Sequence, residues 1–168
     1  EYDGAARMKL KRELLDELDR AHAFELPGSL VDFEFSNIWN QYENNLKATN
    51  KTLADEGKSE DEARAEYKTI AERRVRLGLV VGEIGEKNKI GVSQDELRGA
   101  LIEQARRFPG QEKMVYEYYE KTPGAFAELR APIFEDKVID FIASAATIEE
   151  KKVSKEELFK RVEEATQK

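Results

Sequence analysis

The stretch from Ser59 to Lys87 constrains the fold of this chain more than any other part of its sequence. Ser59 followed three residues later by Glu62 is a capping box, a pattern typical of a helix start. Apolar residues then recur every three or four positions, and from Val75 to Ile84 they cover nearly the whole circumference of the helix. Because such a helix must be buried on several sides, we expect other helices to pack around it.

The rest of the chain carries further helix signals and few turn signals. Ser93 with Glu96 and Ser154 with Glu157 are two more capping boxes. With 10 Gly and 4 Pro among 168 residues, the chain lacks the frequent turns of an all-β protein. We therefore predict an all-α fold, with helices near residues 2–23, 27–50, 59–87, 93–107, 112–121, 123–145 and 154–165.

Prolines and glycines refine this prediction. Pro27 suits the first turn of the second helix, where its missing N–H costs nothing. Pro132 lies inside a predicted helix and should kink it near residues 128–130. Residues 50–58 show no apolar period and predict a loop.

Within the long third helix, two sets are expected at its packed centre: an apolar core of Val75, Leu77, Leu79, Val81 and Ile84, and three glycines, Gly78, Gly82 and Gly85, that let neighbouring helices come close.

The second helix has two distinct faces. At about 100° per residue, one apolar stripe should pack against a neighbour. Leu30 and Phe33 point away from that stripe, on the same side as Asn37, Asn40 and Asn44, and they are candidates for a binding surface. The packed stripe consists of Val31, Phe35, Ile38, Tyr42 and Leu46.

Composition excludes several classes of function. The net charge of −7 disfavours nucleic acid as a partner, because phosphate backbones repel an acidic chain. The sequence has no cysteine, a single histidine and no glycine-rich phosphate motif, so we predict no catalytic, metal or cofactor site. No apolar run is long enough to span a membrane. The short basic run of Arg73, Arg74 and Arg76 is interpreted as a solvated helix face.

An aromatic-rich segment is the strongest candidate for a binding surface. Tyr and Met combine a large apolar area with a polar tip or a flexible stem, which suits adaptable contact. A short helix cannot bury so many large side chains on one face, so they either pack against neighbouring helices or remain exposed as a binding patch. The segment contains Phe108, Met114, Val115, Tyr116, Tyr118 and Tyr119.

The order of several features resembles the C-terminal domain of bacterial trigger factor. The segment from Glu72 to Ser93 combines Arg-Arg-Val with an apolar, Gly-rich helix and an Asn before an acidic helix start. It is preceded by Leu26-Pro27 and followed by the aromatic helix. The resemblance implies a two-armed helical cradle in a cytoplasmic, ATP-independent chaperone, a single domain divided into residues 1–25, 26–87, 88–145 and 146–168.

The resemblance also implies partners. Unfolded or nascent polypeptides would bind here, and a homodimer stays possible. Ribosome docking and prolyl isomerisation belong to other domains of that family. Because the helical pattern begins at Glu1 with no capping residue before it, we expect a piece of a longer protein. The predicted polypeptide-binding residues are Leu30, Phe33, Phe108, Met114, Val115, Tyr118 and Tyr119.

Three alternatives remain open from the sequence. A periplasmic chaperone of the SurA type shares the helical cradle. A helical adaptor for one folded partner would show a single large apolar patch, whereas a chaperone should show several smaller ones. An enzyme is the weakest alternative, because the catalytic motifs are missing.

Overall fold

The computed structural model describes residues 2–146, apart from the side chains of residues 2, 3, 54 and 56. Within this range every regular element is helical, which confirms the all-α prediction. The predicted helix at 154–165, with its capping box, lies outside the described residues. The helices are α1 Tyr2–Ala21, α2 Gly28–Thr49, α3 Glu60–Lys87, α4 Gln94–Arg106, α5 Glu112–Lys121 and α6 Ala125–Ala145.

Two of the predicted capping boxes start the helices they were expected to start. Ser59 Oγ accepts the Glu62 N–H at 3.3 Å, and the Glu62 carboxylate accepts the Ser59 N–H at 2.9 Å. Ser93 and Glu96 form the same pair at 3.2 and 2.7 Å. Each box satisfies two backbone donors that the first turn of a helix leaves unpaired. For this reason α3 begins at Glu60 and α4 at Gln94.

Two local predictions need correction. Pro27 precedes α2 instead of lying in its first turn: its ψ of 114° is extended, and its carbonyl accepts the N–H groups of Leu30 and Val31. The segment 50–58, which was predicted as a loop, contains a short 3₁₀ helix, Leu53–Glu56. The Asp55 carboxylate accepts hydrogen bonds from the N–H and the hydroxyl of Thr52, at 2.7 and 2.8 Å. These side-chain hydrogen bonds stabilise the turn although the segment has no periodic apolar face.

Residues 7–80 form one compact unit, built on α2 and the first part of α3. Val31 and Ile38 of α2 pack around Ala71 of α3, and farther along α2 Trp39 and Tyr42 pack around Ala63. The earlier part of α2 therefore lies beside Ala71 and its later part beside Ala63, so the two helices run antiparallel. The predicted stripe on α2 is confirmed as the packed face, since all of its five members belong to these clusters.

Aromatic rings make up much of this interior. The Trp39 ring lies 5.9 Å from Phe35 and 6.0 Å from Tyr67, and Tyr42 lies 4.6 Å from Tyr67. The Trp39 indole N–H donates to Glu43 at 2.8 Å, and Arg64 covers the ring at 4.4 Å. These contacts bury the single tryptophan of the sequence to 7% exposure. Trp39 was not singled out in the sequence, although its position beside Ile38 widens the apolar stripe.

The basic run in α3 was interpreted as a solvated helix face, but its three arginines pair with carboxylates of other helices, and only Arg74 stays exposed. Arg76 and Arg73 donate to the two carboxylate oxygens of Asp19 in α1, at 2.7 and 3.2 Å, and Arg73 also pairs with Asp16. Arg74 pairs with Glu34 of α2 at 3.1 Å. The run was misinterpreted because its partners lie far away in the sequence, where local charge patterning cannot reveal them.

Residues 2–6 and 81–146 form the second unit, in which α4, α5 and α6 pack on one another. Its core includes Val138 and Ile139 of α6, Leu97 of α4 and Tyr119 of α5, with Val138 fully buried. Helix α6 runs without interruption through Pro132. It begins at Ala125, two residues later than predicted, because Gly124 adopts a φ of +86°.

The predicted centre of α3 is only partly buried. Val81 is buried, and Val75, Leu77 and Ile84 are half-buried, but Leu79 is exposed, contrary to expectation. Although this part of α3 is apolar nearly all round, no described element fully covers the side that carries Leu79. The glycine prediction holds for Gly85, where an added Cβ would lie 2.1 Å from the Phe134 ring. It is wrong for Gly78 and Gly82, where an added Cβ meets no described atom within 4 Å.

Lys137 of α6 ties together three segments of the second unit. Its ammonium donates to the Gly91 carbonyl at 2.6 Å and to the Glu96 carboxylate at 2.8 Å. Glu96 also closes the capping box of α4. The Lys137 ammonium, followed by the Ser93 backbone and hydroxyl donors, lowers the pKa of Glu96 to about 2. A single carboxylate thus fixes both the start of α4 and its attachment to α6.

Candidate functional site

The apolar side chains of α5 occupy a wider arc than the helix buries. At about 100° per residue, Met114, Tyr118, Val115 and Tyr119 follow one another around an arc of about 140°. Tyr116 lies outside it, about 60° beyond Tyr119. The segment has one continuous apolar face, as its composition suggested, and packing uses only part of it.

Exposure falls steadily across this arc. Met114 is 67% exposed and Tyr118 47%, whereas Val115 is half-buried and Tyr119 is only 7% exposed. Burial, followed by the negative charge of Glu128, raises the pKa of Tyr119. Tyr119 was predicted as a surface contact, and its burial corrects that placement. It supports the exposed side chains from beneath.

Phe126 extends this surface from α6 and was missed in the sequence. Its ring lies 5.9 Å from Tyr119, whose other neighbour, Tyr118, lies at 5.2 Å. Phe126 is 44% exposed. Gly124, between α5 and α6, has a φ of +86°. The Pro123-Gly124 pair is a turn signal, and it could have indicated in the sequence that α6 returns towards α5. We call Met114, Val115, Tyr118, Tyr119 and Phe126 the α5 patch.

Phe108 is presented by the turn between α4 and α5. The Gln111 N–H donates to the Phe108 carbonyl at 3.0 Å, and Gly110 has a φ of +81°. Pro109 followed by a glycine of positive φ is the signature of a type II turn. The turn leaves the Phe108 side chain 46% exposed, immediately before the helix that carries the α5 patch.

Leu30 and Phe33 form a second exposed surface, in the unit of residues 7–80. Leu30 is 44% exposed and Phe33 68%, three residues apart on the outer face of α2. Phe24, which precedes α2 and was not predicted, is 43% exposed. The structure thus keeps Leu30 and Phe33 off the packed stripe, as predicted, and their role in binding stays a prediction.

Both surfaces carry exposed apolar side chains. Among residues 2–146, no group of three or more His, Asp and Glu side chains comes together in a way that could hold a metal ion. None of the helices in this range is long and apolar enough to cross a membrane. Both surfaces offer apolar area, and in the α5 patch the Tyr118 hydroxyl adds a polar tip.

Comparison with known proteins identifies the family. The family described as Bacterial trigger factor protein (TF) C-terminus matches residues 1–144. The chain belongs to the bacterial trigger factor family. It is 59% identical to trigger factor from Afipia carboxidovorans over 95% of its length, 55% identical to that from Xanthobacter autotrophicus over 98%, and 57% identical to that from Parvibaculum lavamentivorans over 95%.

The match covers the C-terminal part of the family. The chain spans 35%, 36% and 31% of the lengths of these three trigger factors. The resemblance noted in the sequence is therefore confirmed, and the SurA-type alternative is set aside.

Proposed function

We propose that this chain is the polypeptide-binding part of a trigger-factor-type chaperone. It binds exposed apolar segments of unfolded or nascent polypeptides without nucleotide and keeps them from aggregating. The observation that carries the proposal is the presence of two exposed apolar surfaces, Leu30 with Phe33 on α2 and the α5 patch, on helices that are otherwise well packed. Separate small patches suit many clients better than one folded partner.

The energetics favour weak contacts that are repeated along the chain. Burying one large apolar side chain contributes about 1.5–3 kcal/mol at best. Association and the ordering of a client consume several kcal/mol, so a single patch should bind no tighter than about micromolar. A client that reaches two patches on the same chain gains avidity, because the second contact forms at a high effective concentration.

The test replaces the exposed members of the α5 patch and leaves its buried member intact. Met114→Ser and Tyr118→Ser together should weaken the suppression of aggregation of a denatured client, measured by light scattering. The melting transition should stay near that of the unsubstituted chain, because neither side chain belongs to the buried core.

Tyr116 provides a matched control on the same helix. It is 41% exposed, close to the 47% of Tyr118, but it lies outside the apolar arc. Tyr116→Ser should leave aggregation suppression unchanged. An equal loss with Tyr116→Ser would show that any exposed aromatic suffices and that the α5 patch is not the site. Full activity of the double variant would place client binding elsewhere.

A helical adaptor is the second candidate, and Phe33 separates the two functions. In a chaperone, Phe33→Ser should weaken binding of several unrelated unfolded clients. In an adaptor, it should abolish binding of one folded protein and leave unfolded clients unaffected.

A further inference from the structure

The outer face of α2 is almost free of charge. Charged residues make up 38% of the chain, yet among the exposed side chains of α2 only Asp32 and Lys47 are charged. Helix α3, which packs against α2, shows the opposite pattern in its exposed first turns, which carry Glu60, Asp61, Glu62, Arg64, Glu66 and Lys68. Exposed helix faces commonly carry pairs of opposite charges, and the exposed face of α2 does not.

Side-chain amides take the place of charges. Asn37, Asn40, Gln41 and Asn44 are exposed and share one face of α2, within an arc of about 100°. We call these four residues the amide strip. It continues the face that begins with Leu30 and Phe33, and from Leu30 to Asn44 the surface is about 21 Å long. None of the four amides hydrogen bonds to another residue in the described part of the chain.

Side-chain amides at regular spacing match the chemistry of a peptide main chain. Each carries both a donor and an acceptor, as each peptide group does. Members of the strip recur every three or four residues, which is about 4.5–6 Å along the helix. An extended chain presents main-chain groups on one side every second residue, about 6.5–7 Å apart, a difference that flexible side chains can absorb.

The lack of charge argues against other occupants. A nucleic acid would require Lys and Arg along the strip. A strongly charged protein partner would require complementary charges, which only Asp32 and Lys47 could supply. A neutral surface accepts acidic and basic client segments alike, since it repels neither.

We propose that the amide strip binds the main chain of an extended client segment, with hydrogen bonds from its side-chain amides to the client's peptide groups. The inference rests on the proposed function and adds the part of the client that is recognised. Leu30 and Phe33 take an apolar side chain, and the strip then holds the backbone that follows it. Because every polypeptide has the same main chain, this contact provides affinity without sequence preference.

The experiment compares two labelled peptides of Leu, Phe and Ser that differ only in their main chain. In the second, esters replace alternate amides, which removes N–H donors and weakens carbonyl acceptors. The full chain is tested beside the triple variant Asn37→Ala, Asn40→Ala, Asn44→Ala. Ala favours helix more than Asn does, so α2 should stay folded, as a far-ultraviolet spectrum will check. Asn45→Ala, exposed on α2 but outside the strip, is the matched control.

The unsubstituted chain should bind the ester peptide about three- to tenfold more weakly than the amide peptide, as expected for losing one or two net hydrogen bonds. The triple variant should bind the amide peptide about three- to tenfold more weakly and should distinguish the two peptides much less, since Gln41 is the one amide of the strip that it keeps. Asn45→Ala should behave like the unsubstituted chain.

The outcomes separate this inference from the proposed function. Equal binding of both peptides by the unsubstituted chain overturns the inference, while the proposed function stands. Failure to bind either peptide, together with failure to suppress aggregation, overturns both. If sedimentation shows a dimer that the triple variant converts to monomer, the strip is a self-association surface and the inference is wrong.

Discussion

Two glycines three residues apart on α3 allow a stability prediction with a built-in control. Gly82 and Gly85 lie in the same helix and in the same unit of the structure. Replacing either by Ala reduces the conformational freedom of the unfolded chain and should contribute about 0.5–1 kcal/mol to stability. The two positions differ in what the added methyl group meets.

At Gly82 the new Cβ meets no described atom within 4 Å, so the gain should be realised in full. At Gly85 it would lie 2.1 Å from Cζ and 2.7 Å from Cε2 of Phe134, so the ring must move. Overpacking of this kind costs about 1–3 kcal/mol. The Phe134 side chain is only half-buried and can yield partly, which keeps the cost within that range. We expect Gly85→Ala to be less stable than Gly82→Ala by about 1–3 kcal/mol.

Urea unfolding followed by circular dichroism measures both free energies of unfolding, given a single cooperative transition. A double-mutant cycle assigns the cause. With Phe134→Ala in the background, the difference between the two glycine variants should fall to about 0.5 kcal/mol or less, because no ring remains to be displaced. Equal stabilities in the unsubstituted background would show that Phe134 does not pack on Gly85. A difference that persists without the ring would place the cost elsewhere.

The remaining predictions concern the core, acid stability and the limits of the activity. Val138→Ala should lower the free energy of unfolding by about 2 kcal/mol in thermal or urea unfolding, because it leaves a cavity at a fully buried site. Leu77→Ala should cost about as much, because Leu77 loses more atoms but is only half-buried. An unchanged stability of Val138→Ala would refute the described core. The pKa of Glu96 is lowered from 4.5 to about 2, so its stabilisation is present above pH 4.5 and is lost as the pH falls towards 2. Over that window Glu96→Gln should lose less stability than the unsubstituted chain, and parallel pH curves would contradict the Lys137 contact. This chain alone should neither sediment with ribosomes nor accelerate prolyl isomerisation in a peptide assay, and co-sedimentation would reassign ribosome docking to it.

Local signals carried most of the secondary structure. The boxes at Ser59 and Ser93 predicted two helix starts to within one residue, because capping depends on side chains only three positions apart. The apolar stripe of α2 likewise predicted which face packs. The sequence-based predictions were less accurate where contacts between distant residues decide the packing. Arg73 and Arg76 are examples, since their acidic partners lie more than fifty residues away in the sequence.

The candidate site shows the same division. Composition alone located the aromatic segment, and helical spacing alone placed Leu30 and Phe33 off the packed face. The sequence could not decide which side of α5 turns inward, since the whole arc from Met114 to Tyr119 is apolar.

The sequence by itself determined the helices between residues 2 and 145, the packed face of α2 and the region that carries exposed aromatic side chains. Only the tertiary structure buried Tyr119, brought Phe126 against it and left Leu79 uncovered. The physical reason is that helix periodicity and capping depend on residues within about one turn, whereas burial depends on which other helix packs against the residue. The apolar arc of α5 is wider than the area that its neighbours cover. The packing of those neighbours therefore decides which side chains are buried, and the side chains that remain exposed form the surface available for binding.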